Sequence, residues 1–137
     1  MKPKILHAEP RVLDSSAILA WFQRELGYEN TRAQIKMGGM IAAPNLTEVI
    51  GKLVSNGSAP ANQVERDVLG LRLQVIPMDQ EIALASAFFY ARRHPYDLSL
   101  GDCVCIAVAE TLGVEILTAE QSWAKIPDLR VKVRLIR

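Results

Sequence analysis

Short apolar runs alternate with longer segments of helical period along the chain, and this alternation predicts an α/β fold with a mainly parallel sheet. Strands are predicted at the apolar runs 11–14, 40–43, 73–77, 114–118 and 131–136. Helices are predicted in the intervals, at 15–26, before Gly38, at 44–54, from 60 or 61, from 79, at 99–112 and at 119–125. Capping residues support these bounds, because Asp79 and Ser99 are good N-caps and Gly113 suits a helix end.

Apolar spacing predicts which side of two helices is buried. In the helix that starts near residue 60, the inward residues should be Val64, Val68, Leu69 and Leu71. In the helix after Asp79, they should be Ile82, Ala85, Phe89 and the ring of Tyr90. The last strand alternates like a sheet edge, so Lys132 and Arg134 should face solvent.

The chain has 137 residues, of which 50% are hydrophobic and 23% charged, as expected of one globular domain. We expect residues 1–10 to be a leader and residues 11–137 to form the single domain. The leader lacks the apolar core of a secretion signal, and no run approaches the ~18 apolar residues of a membrane span. Cys103 and Cys105 are predicted to be small core residues in a reducing compartment. These features predict a cytoplasmic protein without a membrane segment.

Charge gives little information about a nucleic-acid partner. The 16 basic and 15 acidic residues leave a net charge of +1, so no global basic field is expected. This argues mildly against a partner with many phosphates. The objection is weak for an enzyme whose acids hold divalent cations, because bound metal reverses the local sign of the site.

Acidic residues follow three predicted strands. Asp14 ends the first strand, Glu48 follows the second and Glu120 follows the fourth. Ligands of open α/β sheets bind beyond the carboxyl ends of the strands, so these three acids should lie near one edge. A fourth acid, Asp102, lies near the start of the helix that begins at Ser99, and this helix would have to deliver it to the same edge.

Each acid also has a purely structural explanation. Asp14 suits an N-cap, segments 45–48 and 99–102 resemble capping boxes, and Glu120 suits a first helical turn. Asp14 favours a shared site, because a carboxylate directly after a buried strand is costly to desolvate unless a cation or donors meet it. Converging carboxylates raise one another's pKa unless a metal stabilises the charged forms. Oxygen ligands without His or Cys suit Mg²⁺ or Mn²⁺.

Four segments, in this order, resemble the acidic motifs of PIN-domain nucleases, particularly VapC-like toxins of toxin–antitoxin pairs. They are VLDSSAILAW at 12–21, NLTEV at 45–49, LSLGDC at 98–103 and ILTAEQSW at 116–123. The resemblance implies a PIN-like three-layer fold, with a short, mainly parallel central sheet flanked by helices. It also implies a metal-dependent endoribonuclease whose catalytic metal ligands are Asp14, Glu48, Asp102 and Glu120.

This chain departs from the family at Glu120, where Asp is more usual. Glutamate is one methylene longer, so it would bind metal through water or hold a displaced second ion. The implied mechanism is hydrolysis by a metal-activated water. No Ser/His/Asp arrangement supplies a side-chain nucleophile.

Other residues are weaker candidates. By resemblance, three supporting hydroxyls would orient water, acids or phosphate, although helix capping explains them equally well: Ser15, Ser99 and Thr118. Four basic residues near the acidic motifs are candidates for RNA phosphate contacts, with solvated surface charge as the alternative: Lys36, Lys52, Arg92 and Arg93.

The resemblance implies an RNA substrate, a cognate antitoxin protein that enters the acidic groove, and a homodimer. Two other functions stay open. One is a catalytically impaired PIN-like domain that acts as an RNA- or protein-binding module. The other is a phosphatase or receiver-like enzyme with Asp14 as phosphorylated nucleophile, although Ser15 and Ser16 stand where it needs an acidic pair.

Overall fold

The computed structural model describes residues 9–137. The elements are β1 (Val12–Leu13), α1 (Ser15–Gln23), α2 (Tyr28–Met37), β2 (Met40–Ala42), α3 (Ala43–Ser55), α4 (Ala61–Leu69), β3 (Gln74–Ile76), α5 (Gln80–Ala91), α6 (Leu100–Leu112), β4 (Ile116–Thr118), a 3₁₀ helix (Gln121–Lys125) and β5 (Val133–Leu135). Of the predicted leader, residues 1–8 lie outside the described part of the chain.

The five strands form one parallel sheet in the order β3-β2-β1-β4-β5. β1 therefore lies at the centre, between β2 and β4. The predicted parallel sheet is confirmed, and so is the position of the last strand at an edge, where Lys132 and Arg134 are exposed. Parallel strands place all their carboxyl ends at the same edge of the sheet, which is where the acidic motifs begin.

Helices cover both faces of the sheet because successive strand residues point to opposite sides. Val12, Met40 and Ile116 belong to one core cluster, which includes residues of α5 and α6. Leu13, Ile41 and Leu117 belong to a second cluster, which includes residues of α1, α3 and α4. The predicted three-layer fold is confirmed.

Two inward-facing predictions are wrong. Leu69 and Tyr90 are both exposed, whereas their neighbours Val68 and Phe89 are buried. Adjacent helical residues differ by about 100° around the axis, so one residue of each pair must leave the core. Arg93 instead lies over the ring of Tyr90, at 4.2 Å from its centroid.

Three predicted helices also have other bounds in the structure. The helix predicted at 119–125 is a 3₁₀ helix that begins at Gln121, after Glu120 in extended conformation. α1 ends at Gln23, three residues before the predicted end, because Arg24 adopts a left-handed conformation and caps it. α3 begins at Ala43, so Asn45 lies within its first turn and is not an N-cap. The expected capping box over residues 45–48 is therefore wrong.

Cys103 and Cys105 are free and buried on α6, as predicted. In the part of the chain that the structure describes, no helix has the length and apolar character needed to cross a membrane.

Candidate functional site

All four predicted acids line one cavity of about 380 Å³. Asp14 follows β1 and Glu120 follows β4, and these two strands are neighbours. Glu48 lies on α3, directly after β2, and Asp102 lies in the first turn of α6. α1 and α6 cover opposite faces of the sheet, so the cavity lies where the chain changes from one face to the other, the usual ligand position in such folds.

Asp14 is the most constrained of the four carboxylates, with 2% of its surface exposed. Its Oδ2 accepts hydrogen bonds from Ser16 Oγ at 2.6 Å, from Ser16 N at 3.3 Å and from Thr118 Oγ1 at 3.0 Å. Its Oδ1 is buried and has no hydrogen-bond partner among residues 9–137. A buried carboxylate oxygen without a donor is costly, so this atom requires a ligand or a proton.

The acids perturb one another's ionisation. Burial raises the pKa of Asp14 from 3.8 to about 6, and the charge of Asp102 adds to the increase. The pKa of Asp102 is also raised, first by burial and then by the charges of Glu48 and Glu120. Such mutual repulsion is what a bound cation would relieve.

Two of the acids also cap helices. Asp14 caps α1 through Ser16 N, and Asp102 completes the predicted capping box of α6 by accepting from Ser99 N at 2.9 Å. Capping does not explain the other two acids. Glu48 is half-buried and forms an ion pair with Lys52 at 3.2 Å, and the side chain of Glu120 makes no capping hydrogen bond.

The donor set suits a hard divalent cation in its chemistry. The acids supply oxygen ligands only, and Asp14 Oδ1 is a buried oxygen to which no group of the described residues donates. Within residues 9–137, however, no three acidic, histidine or cysteine side chains are grouped closely enough to form a ligand set as they stand. The four acids therefore line the same cavity, but in the described structure their carboxylates are too far apart for three of them to bind one cation.

The three predicted hydroxyls have different roles. Thr118 binds Asp14 directly, as described above. Ser15 is buried and accepts a hydrogen bond from Asn45 Nδ2 at 3.1 Å, which joins α1 to α3. Ser99 Oγ accepts from Asp102 N at 3.1 Å and caps α6.

Of the four predicted RNA-binding cations, only Lys52 lines the cavity. Lys36 is exposed in the last turn of α2. Arg92 lies over Phe89 and lines a separate pocket near Pro95, and Arg93 lies over Tyr90. These three residues lie on other surfaces of the protein, and their contact with RNA stays a prediction.

The sequence prediction missed six residues of the cavity wall: Ser16, Leu19, Gln23, Glu25, Ala119 and Arg137. The spacing of the first three fits one face of α1 and was a usable signal. Arg137 follows β5, and it lies at the acidic edge because β5 is parallel to β4. It donates to Glu25 at 3.5 Å and to the carbonyl of Leu26 at 3.1 Å.

A buried asparagine joins the helices that carry the acids. Asn45 is fully buried, and its Nδ2 donates to Ser15 Oγ and, at 3.3 Å, to the carbonyl of Gly101. Because Gly101 precedes Asp102 and Ser15 follows Asp14, this side chain joins α3 to both acidic turns. A Cβ on Gly101 would lie 3.5 Å from Asn45 Nδ2 and 3.8 Å from Glu48 Oε1, so α3 and α6 approach closely there.

Comparison with solved structures identifies chains of the same fold. A toxin–antitoxin complex from Klebsiella pneumoniae contains a chain with TM-score 0.70 and 21% identity, covering 93% of this chain and 98% of that one. The DNA-bound VapBC of Salmonella typhimurium contains one with TM-score 0.69 and 16% identity, covering 95% and 100%. VapBC2 of Rickettsia felis bound to a promoter DNA fragment gives TM-score 0.68 and 14% identity, covering 91% and 97%. At these identities the likeness shows the fold.

A search of curated protein sequences gives no match. The family model for the PIN domain matches residues 11–129, which is most of the chain. The predicted resemblance is thereby confirmed: the chain belongs to the PIN domain family.

Proposed function

We propose that this protein is an endoribonuclease that hydrolyses RNA phosphodiester bonds with the help of a divalent cation, Mg²⁺ or Mn²⁺. The observation that carries the proposal is Asp14 Oδ1, a buried carboxylate oxygen that has no hydrogen-bond donor among residues 9–137. It belongs to a residue that lines a cavity together with three further acids. A stability role alone would leave this oxygen unpaired at a cost, whereas a cation would satisfy it.

The residues that would hold the cation are Asp14, Glu48, Asp102 and Glu120. A bound divalent ion supplies positive charge that polarises the phosphodiester and lowers the pKa of water at the site. Ser16 and Thr118 hold Oδ2 of Asp14 in place, whereas Oδ1 accepts no hydrogen bond from residues 9–137. Asn45, on α3, holds α1 and α6 in place through its hydrogen bonds to Ser15 and Gly101.

Lys52 and Arg137 supply positive charge at the wall of the same cavity. Lys52 pairs with Glu48, and Arg137 pairs with Glu25. An RNA phosphate that enters the cavity can exchange for either carboxylate partner, because both pairs are partly exposed and are weakly held in water. These two cations would position the scissile phosphate beside the acids.

We further propose that the nuclease is the toxin of a toxin–antitoxin pair and that a cognate antitoxin inhibits it. Structures with the same fold come from such complexes, according to their descriptions. An antitoxin arginine placed among the four acids would substitute for the cation's charge. Buried free cysteines agree with action in the cytoplasm.

A homodimer is also proposed, through the outer face of α5. Leu84 and Phe88 lie one turn apart on this helix and are 59% and 74% exposed. Large apolar side chains grouped on one face of a helix are typical of an association surface. Light scattering should give twice the chain mass for the wild type, and Phe88→Glu should give the monomer mass; a wild-type monomer would refute the dimer.

The activity is tested with purified protein, free of any partner, and a mixed pool of total RNA. Cleavage should require Mg²⁺ or Mn²⁺, stop with EDTA, and disappear in Asp14→Asn. Glu65→Gln is the matched control, because Glu65 is an exposed acid on α4 that does not line the cavity. Cleavage that persists in EDTA or in Asp14→Asn would overturn the proposal.

A binding-only module is the second candidate, and one observation favours it. In the described chain the acids do not close into a three-residue ligand set. This candidate predicts that wild type binds Mn²⁺ and RNA but cleaves no RNA, and that Glu120→Asp is the change that restores turnover.

A further inference from the structure

A second cavity extends the acidic one along the protein surface. It has a volume of about 460 Å³ and is lined by Leu19, Gln23, Gly51, Lys52, Ser55 and Asn56. Three of these residues, Leu19, Gln23 and Lys52, also line the acidic cavity. The two cavities are therefore adjacent, and residues of α1 and α3 line both. We call the second cavity the flanking groove.

The flanking groove differs from the acidic cavity in charge. Among the residues that the structure describes, its lining contains no carboxylate and one cation, Lys52, which lies on the wall that the two cavities share. The Lys52 side chain is 59% exposed, and its ammonium forms an ion pair with Glu48 that an RNA phosphate can replace. A polyanion that leaves the acidic cavity along this path meets a positive charge first and then a neutral wall.

The rest of the lining suits a base and sugar. Leu19 is a half-buried apolar residue, and Gln23, Ser55 and Asn56 supply hydrogen-bond donors and acceptors. The Oδ1 of Asn56 accepts from Ser58, while its Nδ2 donates to no group among residues 9–137. Such a mixture of one apolar wall and several polar groups is typical of small-ligand sites, which have volumes of roughly 300–1,000 Å³.

We infer that the flanking groove binds the nucleotide next to the scissile phosphate of a single-stranded RNA. The inference rests on the proposed ribonuclease function and deepens it by naming a substrate subsite. Lys52 contacts the phosphate between the two cavities, and the neighbouring base and ribose lie against Leu19 and the polar side chains. The groove selects single strands, because a paired base does not present its edges to such a wall.

Gly51 offers a way to close the groove without disturbing the fold. A Cβ built at this residue has no heavy atom of residues 9–137 within 4 Å. Gly51 is exposed in the interior of α3, where its backbone is helical and accepts any residue with a side chain. Gly51→Phe should therefore fold and fill the groove. Ser55→Tyr fills it from the end of the same helix and serves as a second variant.

The cleavage test uses an oligoribonucleotide with a mapped cut site and two truncations, each lacking nucleotides on one side of the cut. For wild type, one truncation should lower kcat/KM by about 10-fold, which corresponds to the loss of about 1.4 kcal/mol of binding free energy. Gly51→Phe should have a similarly lowered kcat/KM on the full-length RNA, and shortening the RNA on the same side of the cut should not lower it further. Glu65→Phe places the same aromatic on α4, outside both cavities, and should match wild type.

A binding test separates this inference from the proposed function. The Kd for labelled single-stranded RNA is measured by fluorescence anisotropy in metal-free buffer, with Asp14→Asn as the background variant. Adding Gly51→Phe to this background should raise the Kd about 10-fold, and adding Glu65→Phe should leave it unchanged. If wild type cleaves no RNA but this difference is found, the groove stands and the nuclease proposal fails. If wild type cleaves RNA but Gly51→Phe and Ser55→Tyr alter neither binding nor cleavage, the groove inference is overturned. It is equally overturned if these variants weaken only the binding of an antitoxin protein.

Discussion

Replacing Asp14 by Asn should stabilise the metal-free protein. Asp14 is buried at 2% exposure, and its pKa rises from 3.8 to about 6. At about 1.4 kcal/mol per pH unit, this difference corresponds to a cost of about 3 kcal/mol for the charged carboxylate at neutral pH. Asparagine removes the charge and keeps an oxygen to accept from Ser16 and Thr118. Because its amide still needs partners, we expect a net gain of about 1–3 kcal/mol.

The sign of the pH dependence follows from the raised pKa. The folded protein holds the Asp14 proton more tightly than the unfolded chain, so stability is highest when the carboxyl is protonated. The contribution of Asp14 therefore falls as pH rises from about 4 to about 6, and the full cost is reached above pH 6. The difference in stability between Asp14→Asn and wild type should be small at pH 4 and largest above pH 6.

The assay is thermal and urea unfolding of both proteins in EDTA between pH 4 and pH 8, followed by the same series with Mn²⁺. At pH 7.5 without metal, the melting temperature of Asp14→Asn should exceed that of wild type by about 3–10 °C. Adding Mn²⁺ should raise the melting temperature of wild type and leave that of the variant unchanged. If metal-free Asp14→Asn is less stable than wild type at pH 7.5, the buried charge of Asp14 does not destabilise the folded protein.

Three smaller predictions separate the site from the scaffold. Thr118→Val removes a hydrogen bond of 3.0 Å that stabilises the charged form of Asp14, so the pKa of Asp14 should rise. The acidic limb of the kcat/KM pH profile should then move about 1–2 pH units higher, and an unchanged limb would contradict this role of Thr118. Asn45→Ala removes the hydrogen bonds from Asn45 Nδ2 to Ser15 Oγ and to the Gly101 carbonyl, and should lower the free energy of unfolding by about 1–3 kcal/mol in urea. A neutral effect would show that this link between the helices is dispensable. Asp79→Ala removes the N-cap of α5 and should cost about 1 kcal/mol of stability with RNA cleavage unchanged, so a loss of cleavage at full folding would be unexpected.

Much of the fold could be predicted because its signals are local. Strands of two or three residues were found from their apolar runs, and Asp79, Ser99 and Gly113 marked helix ends correctly. The errors at Leu69 and Tyr90 came from assigning adjacent residues to the same helix face. The start of α3 at Ala43, ahead of Asn45, could not be predicted, because α3 follows β2 without a connecting loop and no polar residue marks the start of the helix.

The candidate site was only partly accessible from the sequence. Acids that follow parallel strands must lie at one edge, which is why Asp14, Glu48 and Glu120 could be placed together. The place of Arg137 in the cavity wall could not be predicted, because it depends on the pairing of β5 with β4, which no local pattern specifies. The role of Asn45 depends on the contact of α3 with the turn at Gly101, a long-range packing feature.

Metal-dependent RNA cleavage at Asp14 is tested most directly by the initial rate of cleavage as a function of Mn²⁺ concentration, measured at pH 7.5 for wild type, Asp14→Asn and Glu65→Gln. We expect saturable activation of wild type and Glu65→Gln from a metal-free baseline of zero. For Asp14→Asn we expect a rate at least about 100-fold lower at every concentration, since the loss of about 2.7 kcal/mol of transition-state stabilisation has that effect. Cleavage that is independent of Mn²⁺, or that is equal in Asp14→Asn and wild type, would show that the acidic cavity is not a metal-dependent nuclease site.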